Sequence, residues 1–256
     1  MRSTLQKILY VPDAHHPYAS AKAWKTMLAA GKGWKPDVIV VLGDLGDFYC
    51  VSSHLKTRIK KPTLVQEVAA VNKALDALES LGATRLIFIE GNHETRLHRF
   101  LSEKAPELFG VVDVESLLGL KRRGWEFVPY FSHIKIGKIR HTHDVGFVGR
   151  AAAHRNLDFA KSSIITAHTH RFGYVVEGDI DGEPHLSASF GWLGDPEQID
   201  YTHRMKALKD SAHGFGLGYH DTTTGYVYIT PVPIIKGQCC VEGKIYRAAP
   251  LDKRKR

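Results

Sequence analysis

The chain has 256 residues, 43% of them apolar and 24% charged, and its 35 Lys and Arg outnumber its 27 Asp and Glu to give a formal charge of +8. Such a composition supplies a full hydrophobic core, which excludes a disordered chain and a fibrous repeat. The longest unbroken aliphatic run, Val38 to Leu42, is far shorter than the roughly twenty residues of a transmembrane helix, so we expect no association with a membrane.

The N-terminus and the cysteines indicate the compartment. The first apolar stretch, Ile8 to Val11, is too short for a signal peptide and precedes no small-residue cleavage site. The three Cys include the adjacent pair Cys239 and Cys240, which suits neither a disulfide framework nor a metal site. We therefore expect a protein of the reducing cytoplasm.

The first part of the chain alternates between strand and helix patterns. The predicted strands are Ile8 to Val11, Asp37 to Leu42 and Arg85 to Glu90. Helices are predicted from about Ser20 to Ala30 and after Thr63, where Gln66 completes a capping box. Strands that alternate with helices favour right-handed β-α-β units with parallel pairing, so this part has the pattern of half an α/β sandwich.

After Lys121, short predicted strands separated by Gly and Pro replace this alternation and favour hairpins. They are Glu126 to Tyr130, His133 to Ile136, Lys138 to Thr142, Ser163 to Ala167, Phe172 to Glu177, His185 to Phe190 and Gly225 to Pro231. A closely packed strand is also predicted at Gly214, Gly216 and Gly218, because no helix follows them as it would in a dinucleotide-binding fold. No linker, internal repeat or low-complexity tract divides the chain, so we expect one domain over residues 1–250 and a basic tail at 251–256.

Half of the formal positive charge lies at the C-terminus. Lys253 to Arg256 are all basic, and without these four residues the excess is 8 − 4 = +4. A solvated chain end and an arm that binds a polyanion are both consistent with such a run. Lys56, Arg58, Lys60 and Lys61 leave the same choice between a solvated loop and a groove for a polyanionic substrate.

Five polar clusters follow predicted strands, at the sheet edge where open α/β folds hold their sites. They are Asp13-Ala14-His15, Gly43-Asp44-Leu45-Gly46-Asp47, Gly91-Asn92-His93-Glu94, Arg140-His141-Thr142-His143-Asp144 and Ala167-His168-Thr169-His170. Residues two apart in an extended segment point the same way, so Asp13 with His15, and His168 with His170, can each aim two ligands at one point. A single cluster of this kind is often only a turn, but five in order indicate a metal site.

These motifs resemble those of the calcineurin-like metallophosphoesterase superfamily, in which Asp-x-His, Gly-Asp-x-x-Asp and Gly-Asn-His-Asp/Glu precede a single His and a final Gly-His-x-His. The match spans Asp13 to His170, with Ala167 in place of the last Gly. The run Gly-Asp-x-x-Asp-Phe-Tyr followed by Ser52 and Ser53, together with Gly-Asn-His-Glu-x-Arg-Leu, looks most like the phage-type, poorly characterised branch. The resemblance implies a four-layer α/β/β/α sandwich, in which two mixed sheets are flanked by helices, and a site for two metal ions.

The resemblance also implies which residues bind the metals. One ion is expected on Asp13, His15, Asp44 and His170, and the other on Asn92, His143, His168 and the same Asp44 as a bridge. In the fourth cluster His141 remains an alternative to His143.

The same resemblance assigns residues to the chemistry. His93 takes the place of the proton donor or electrostatic partner of the phosphoryl group, and Asp47 orients it. Arg96 either clamps a phosphate oxygen bidentately or faces solvent from the following helix. Phe48 and Glu90 stand where the protein Ser/Thr phosphatase branch has Arg, so membership of that branch is not expected.

The charge balance of such a site favours phosphate chemistry. Two divalent cations bring +4, whereas two carboxylates and a bridging hydroxide bring −3, so about +1 remains to attract a phosphate. Ligands that combine His with oxygen and lack thiolate fit Mn, Fe, Zn or Ni better than Ca or Mg alone, and we expect Mn²⁺ first. Hydrolysis is then expected by direct in-line attack of the bridging hydroxide, with His93 assisting the leaving group.

The leading hypothesis is a dimetal phosphoesterase that acts on phosphate esters. Its nearest rival is a metal-dependent nuclease or phosphodiesterase acting on DNA or RNA, which the basic loop and tail favour and whose activity would fall with salt. Hypotheses of other classes are a non-catalytic metal-binding scaffold of the same fold and a plain nucleic-acid-binding protein. Tyr49 and Trp192 either stack on a base or an aromatic leaving group or pack in the core. The motifs do not distinguish monoesters from diesters and leave the oligomeric state unknown.

Overall fold

The computed structural model describes residues 5–53, 62–199 and 211–248. The basic stretch from Lys56 to Lys61 and the basic tail at 251–256 lie outside these residues, so the hypotheses about them stay predictions. Within the described ranges, no helix is both long and apolar enough to cross a membrane.

Two stacked sheets, a small hairpin and six helices make up the described part of the chain. The strands are β1 (Leu5–Val11), β2 (Val38–Val41), β3 (Arg85–Ile89), β4 (Trp125–Val128), β5 (Ile134–Ile136), β6 (Ile139–His141), β7 (Ile164–Ile165), β8 (Phe172–Gly178), β9 (Pro184–Phe190), β10 (Gly214–Asp221), β11 (Val227–Pro233), β12 (Gln238–Val241) and β13 (Lys244–Arg247). The helices are α1 (Ala21–Trp34), α2 (Leu64–Glu79), α3 (Thr95–Lys104), α4 (Val114–Leu118), α5 (Leu120–Arg123) and α6 (Ala152–Ala160). Short 3₁₀ turns lie at Tyr49–Val51 and Pro106–Leu108.

Each of the two sheets mixes parallel and antiparallel pairs. The first has the order β11-β10-β1-β2-β3-β4, in which β1 to β4 are parallel, β10 is antiparallel to β1 and β11 is antiparallel to β10. The second has the order β5-β6-β7-β9-β8, with a parallel centre of β6, β7 and β9 between antiparallel edge strands. β12 and β13 form a separate hairpin that packs on α1.

The apolar runs of β1 and β2 are continuous because both faces of the first sheet are buried. Leu9 and Ile39 pack with the helices α1 and α2, whereas Tyr10 and Val40 face the second sheet, where they meet Phe190 and its neighbours. Helix α6 covers the other side of the second sheet. The four layers are therefore helix, sheet, sheet and helix, which confirms the expected α/β/β/α sandwich.

Local sequence explains where the long helices begin. Ser20 caps α1 through its side-chain oxygen, and Thr63 with Gln66 forms the expected capping box on α2. Helix α1 continues past the predicted end at Ala30 as far as Trp34, and Lys35 ends it in the left-handed conformation.

Several elements differ from the sequence-based expectation, among them β4 and α6. β4 opens the strand-rich part of the sequence but pairs in parallel with β3, so it belongs to the first sheet. Helix α6 has no counterpart among the predicted elements, because its buried face begins with the small side chains of Ala152 and Ala153 and gives weak apolar periodicity. These small residues let the helix approach the sheet so closely that a Cβ on Gly173 would lie 2.8 Å from the Cβ of Ala153.

Candidate metal centre

Loops at the carboxyl ends of neighbouring strands carry the five predicted clusters. The first sheet provides residues 13–15 after β1, 44–47 after β2 and 92–94 after β3, and the second provides residue 143 after β6 and 168–170 after β7. Stacking of the sheets brings these loops together into three groups that could hold a metal ion. The groups are Asp13 with His15 and His170, His15 with Asp44 and His93, and Asp44 with His143 and His168, and in each the ligand atoms lie within 4.8 Å of one another.

Two of these groups, here called the first and the second cluster, have no residue in common. The first cluster consists of Asp13, His15 and His170. The Nε2 atoms of His15 and His170 are 3.1 Å apart, and His170 Nε2 is 3.6 Å from Asp13 Oδ1. Burial opposes the ionisation of Asp13, but the hydrogen bond and the charge of His170 outweigh it and lower the pKa of this carboxyl below its usual value. A buried, ionised carboxylate therefore faces two imidazoles.

The second cluster joins Asn92, His143 and His168 with Asp44. His143 Nε2 lies 3.4 Å from Asp44 Oδ2 and 3.0 Å from Asn92 Oδ1, and His168 Nδ1 lies 2.8 Å from the same amide oxygen. Because the Leu42 carbonyl oxygen, 2.8 Å from His143 Nδ1, can only accept, Nδ1 carries a hydrogen and Nε2 is left for a metal. Although burial lowers it, the nearby Asp44 raises the pKa of His143 to about 10, so Nε2 attracts a positive charge that a metal ion would supply instead of a proton.

Asp44 stands between the two clusters. It groups with His15 and His93 on one side and with His143 and His168 on the other. Burial opposes its ionisation, but the imidazoles, with His143 first, hold the pKa of Asp44 well below its usual range. A buried carboxylate surrounded by imidazoles is a donor set that suits borderline divalent cations, so the residues present fit a metal site.

His143, and not His141, faces the clusters. His141 is the last residue of β6 and is fully buried, with its Nε2 3.2 Å from Tyr10 Oη and its ring stacked on Tyr10 at 5.5 Å between centroids. Burial lowers the pKa of His141 to about 3, so this imidazole is neutral. His141 therefore packs in the layer between the sheets.

Four residues of the ligand loops have a left-handed backbone conformation, whereas the sequence analysis assumed extended segments. His15, Asp44, His168 and His170 have φ angles of 56°, 51°, 63° and 56°, in the left-handed region. Non-glycine residues adopt this region at a cost of about 1 to 3 kcal/mol each and are held there by their surroundings. As a result, His168 joins the Asp44 cluster while His170 joins the Asp13 cluster. The expectation that these two His aim at one point is wrong.

Two glycines permit the close approach of these loops. A Cβ on Gly43, whose φ is 95°, would collide with the His143 ring, and a Cβ on Gly91 would collide with the Asp44 carboxylate. Ala167, which replaces the Gly of the motif, is not among the residues with positive φ, so its Cβ is accommodated without strain.

Asp47 contacts three side chains beside the clusters, all of them residues that the sequence analysis predicted for the site. Its Oδ2 is 3.2 Å from His93 Nδ1 and 3.3 Å from His15 Nδ1, while Arg96 Nη1 donates to Oδ1 at 2.9 Å. Burial opposes the ionisation of Asp47, but His93 and after it His15 hold the pKa of this carboxyl well below the usual range. Arg96 Nη2 lies 3.0 Å from His93 Nε2, so Arg96 packs against these side chains and does not simply face solvent.

A buried acid to which the sequence analysis gave no role, Glu94, braces the loops after β2 and β3. Its carboxylate accepts hydrogen bonds from the backbone N–H groups of Asp44 at 2.9 Å, Gly46 at 2.9 Å and Gly91 at 3.0 Å. Burial, and after it the charge of Asp44, raises the pKa of Glu94 to about 8. The position of Glu94 in Gly-Asn-His-Glu was the available signal.

Glu67 braces the turn after Asp47 in the same manner. It lies in the first turn of α2, where an exposed acid is ordinary, yet it is fully buried and accepts from the N–H groups of Tyr49 and Cys50. Burial raises the pKa of this carboxyl. The position of Glu67, four residues before Val71 on the buried face of α2, was the available signal.

Trp192 packs beneath the first cluster. It is 2% exposed, and its ring stacks on that of His170 with centroids 4.5 Å apart and planes 14° from parallel. Tyr49 is buried as well. Of the two alternatives for these aromatic residues, core packing is the one observed.

Comparisons with known proteins agree with the motifs. The family described as calcineurin-like phosphoesterase matches residues 6–208. The gene 54 proteins of Mycobacterium phages L5 and D29 are each 24% identical to this chain, over 94% of its length and 98% of theirs. Among solved structures, Vps29 from Entamoeba histolytica aligns with a TM-score of 0.48 and 14% identity over 93% of this chain and 95% of that one. The phosphoesterase YfcE from E. coli aligns with a TM-score of 0.40 and 13% identity over 88% and 98%.

Proposed function

This chain belongs to the calcineurin-like phosphoesterase family, and we propose that it hydrolyses phosphate esters at the centre formed by its five loops. Membership makes it a metal-dependent hydrolase of phosphoester bonds, with phage proteins among its relatives. The observation that carries the proposal is the convergence of two Asp/His clusters on Asp44.

The proposed centre holds two divalent cations. Asp13, His15 and His170 would hold one ion, and Asn92, His143 and His168 the other, with Asp44 between them. Buried carboxylate, amide and imidazole donors without thiolate support Mn²⁺ first, ahead of Fe, Zn or Ni. When bound, the two ions supply Lewis-acid activation of water and of the phosphoryl group.

Asp47 and Arg96 set the hydrogen positions on His93. His93 Nδ1 lies 3.2 Å from Asp47 Oδ2, and this carboxylate favours the tautomer with hydrogen on Nδ1, so Nε2 is the atom at which His93 can take up or release a proton. Burial lowers the pKa of His93 and outweighs the attraction of Asp44, which leaves the ring neutral and able to accept from Arg96 Nη2. We assign to His93 Nε2 the uptake of a proton from solvent, in place of the Arg96 contact, and its transfer to the leaving oxygen as the ester bond breaks, which returns the ring to its neutral form.

Arg96 is proposed to bind phosphoryl oxygens while it fixes Asp47. Its Nη1 donates to the side-chain and main-chain oxygens of Asp47 at 2.9 and 2.8 Å, and its guanidinium lines a pocket next to Asn92. An arginine that is already anchored loses little freedom when it clamps an oxyanion. This geometry supports the clamp among the two roles considered for Arg96.

The proposal is tested with metal-stripped protein reloaded with Mn²⁺, Fe²⁺, Zn²⁺ or Ni²⁺. Hydrolysis of p-nitrophenyl phosphate, bis-p-nitrophenyl phosphate and labelled DNA separates monoesterase, diesterase and nuclease activity. We expect His93→Ala to lower kcat about a hundred-fold on the preferred substrate with the metal content unchanged. The exposed His133, changed to Ala, is the matched control.

Three outcomes would contradict the proposal or part of it. Equal rates for His93→Ala and the wild type would remove the assigned role of His93. An absence of turnover on every ester, with two ions bound per chain, would favour the non-catalytic scaffold. DNA binding that survives chelation without any turnover would favour the plain nucleic-acid-binding protein.

A further inference from the structure

A pocket of about 260 Å³ opens beside the proposed metal centre. The 3₁₀ turn at Tyr49–Val51 contributes one side through Val51, and the exposed face of α3 contributes the other. Asn92 and Arg96 form the end that adjoins the metal centre, and Arg99 and Lys104 continue along the helix. Arg99 and Lys104 have no role in the function proposed above.

Helix α3 has a buried apolar face and an opposite polar face that lines the pocket. Leu97 and Leu101 are buried and hold the helix on the core. Arg96, Arg99 and Glu103 are three and four residues apart, so helical spacing places them along one line of the opposite face. The polar character of this wall is therefore built into the helix.

Arg99 provides a positive charge, and its hydrogen bonds among the described residues go to uncharged oxygens. Arg96 is paired with Asp47 at 2.9 Å. Arg99 instead donates from Nη2 to the main-chain oxygen of Asn92 at 3.0 Å and to the Thr95 hydroxyl at 3.4 Å. Its Nε and Nη1 have no hydrogen-bond partner among the described residues, so three N–H groups of the guanidinium remain for an anion.

Asn92 sets the distance between this charge and the metal centre. Its side-chain oxygen lies 2.8 Å from His168 Nδ1 and 3.0 Å from His143 Nε2, while its main-chain oxygen accepts from Arg99. A single residue therefore separates the guanidinium from the second cluster. An anionic group held by Arg99 would lie next to the phosphoryl group that is hydrolysed.

An apolar surface lies beside Arg99. Phe100 is 39% exposed and lines the same pocket, which offers a flat face to a sugar or a base. At the far end Glu103 and Lys104 contribute charges of opposite sign. Arg99 is consequently the main anion-binding group of the pocket.

We propose that this pocket binds a second phosphate group of the substrate through Arg99, with Phe100 against the sugar that joins the two phosphates or against the base on that sugar. The inference rests on the proposed function and deepens it. The preferred substrate class is a nucleotide or oligonucleotide with a phosphate next to the one that is hydrolysed, in preference to a simple monoester.

The test compares three substrates of the Mn²⁺-loaded protein: p-nitrophenyl phosphate, thymidine 3′,5′-bisphosphate and a 5′-phosphorylated thymidine oligonucleotide. Arg99→Met removes the charge and keeps the chain length, and Arg99→Gln also keeps a donor for Asn92. We expect both variants to lower kcat/KM for the nucleotides about ten-fold more than for p-nitrophenyl phosphate, mainly through KM. The difference should shrink as salt rises. Arg122→Met, on the exposed surface of α5, is the matched control and should leave these ratios unchanged.

The outcomes separate the sources of the second phosphate. A loss confined to the oligonucleotide assigns the pocket to a nucleic-acid strand, and a loss on both nucleotides assigns it to any neighbouring phosphate; each supports the proposal. Equal losses on all three substrates would overturn it, because Arg99 would then act only by holding Asn92.

Failure of the proposed function would look different. If the metal-loaded wild type turns over none of the three substrates, the Kd for thymidine 3′,5′-bisphosphate, measured by isothermal titration calorimetry, tests the pocket independently of catalysis. A Kd about ten-fold weaker in Arg99→Gln than in the wild type would support the pocket. An unchanged Kd would overturn it.

Discussion

The two sheets contribute different chemistry to the proposed metal centre. Loops of the first sheet bring its carboxylates, which are Asp13, Asp44 and Asp47, whereas loops of the second sheet bring only the imidazoles of His143, His168 and His170. The negative charge that would hold the cations is therefore confined to one sheet, and the second sheet completes the coordination with neutral ligands.

The loops are also held differently. Glu94 braces the first-sheet loops by accepting the N–H of Asp44. The second-sheet loops are tied to the first sheet, because the His168 N–H donates to Asp13 Oδ1 at 3.0 Å and His143 Nδ1 donates to the Leu42 carbonyl. The first sheet is thus a frame onto which the second sheet docks its ligands. A substitution that weakens the first-sheet loops should therefore lower the stability of the fold. The loss of one second-sheet ligand should affect only the metal ion that this ligand binds and the activity that depends on it.

The largest expected effect tests a docked ligand. We expect His143→Ala to lower kcat/KM on the preferred ester about a thousand-fold and to remove one metal ion while the other stays bound. The exposed His154, changed to Ala, is the control. If His143→Ala kept both ions and its activity, the second sheet would not supply ligands and the comparison would fail.

The next effect tests the frame. Glu94→Ala leaves three buried backbone N–H groups without their acceptor, so we expect the free energy of unfolding in urea to fall by about 3 kcal/mol. Glu126→Ala removes an acid of the exposed ion pair with Arg85 and should cost less than about 1 kcal/mol. Similar losses for both variants would mean that Glu94 does not brace the loops.

The pH dependence of stability tests whether His141, in the second sheet, is a core residue and not a metal ligand. Burial lowers the pKa of His141 to about 3 in the folded chain, against about 6.5 in the unfolded chain. Below pH 6.5 the unfolded chain therefore binds a proton that the native state does not, so stability falls as the pH falls. Between pH 7 and pH 5 the wild type should lose about 2 kcal/mol more than His141→Gln in urea unfolding. Equal losses would contradict the core position and reopen His141 as a ligand.

The smallest expected effect concerns the packing beneath one docked ligand. Trp192→Leu removes the ring that stacks on His170, so we expect about ten-fold weaker binding of one ion in a metal titration. Tyr228→Leu, on an exposed part of β11, is the control. Unchanged affinity would show that the docked ligand needs no support from Trp192.

Much of the frame could be predicted from the sequence. The runs at Ile8 to Val11 and Asp37 to Leu42 are apolar on both faces, which specifies buried parallel strands, and the polar residues that follow them mark the functional edge. The capping box at Thr63 could also be predicted, because both of its hydrogen bonds join residues that are close in sequence.

The remaining features depend on contacts distant in sequence. His141 and His143 have the same strand parity, so alternation could not separate the residue stacked on Tyr10 from the one beside Asp44. The left-handed backbone at His168 and His170 sends their rings to different clusters, and the alternation of side chains does not reveal it, although the family resemblance implied separate ions for the two residues. The hydrogen bonds of Glu67 join α2 to a turn that precedes it in the chain, and they exist only after folding.

The sharing of Asp44 between two cations is the centre of this account, and counting bound Mn²⁺ per chain by elemental analysis tests it most directly. His170→Ala should retain about one ion, because it removes a ligand of a single site. Asp44→Ala should retain almost none, because both ions lose a ligand and its charge. Retention of one ion by both variants would contradict the account.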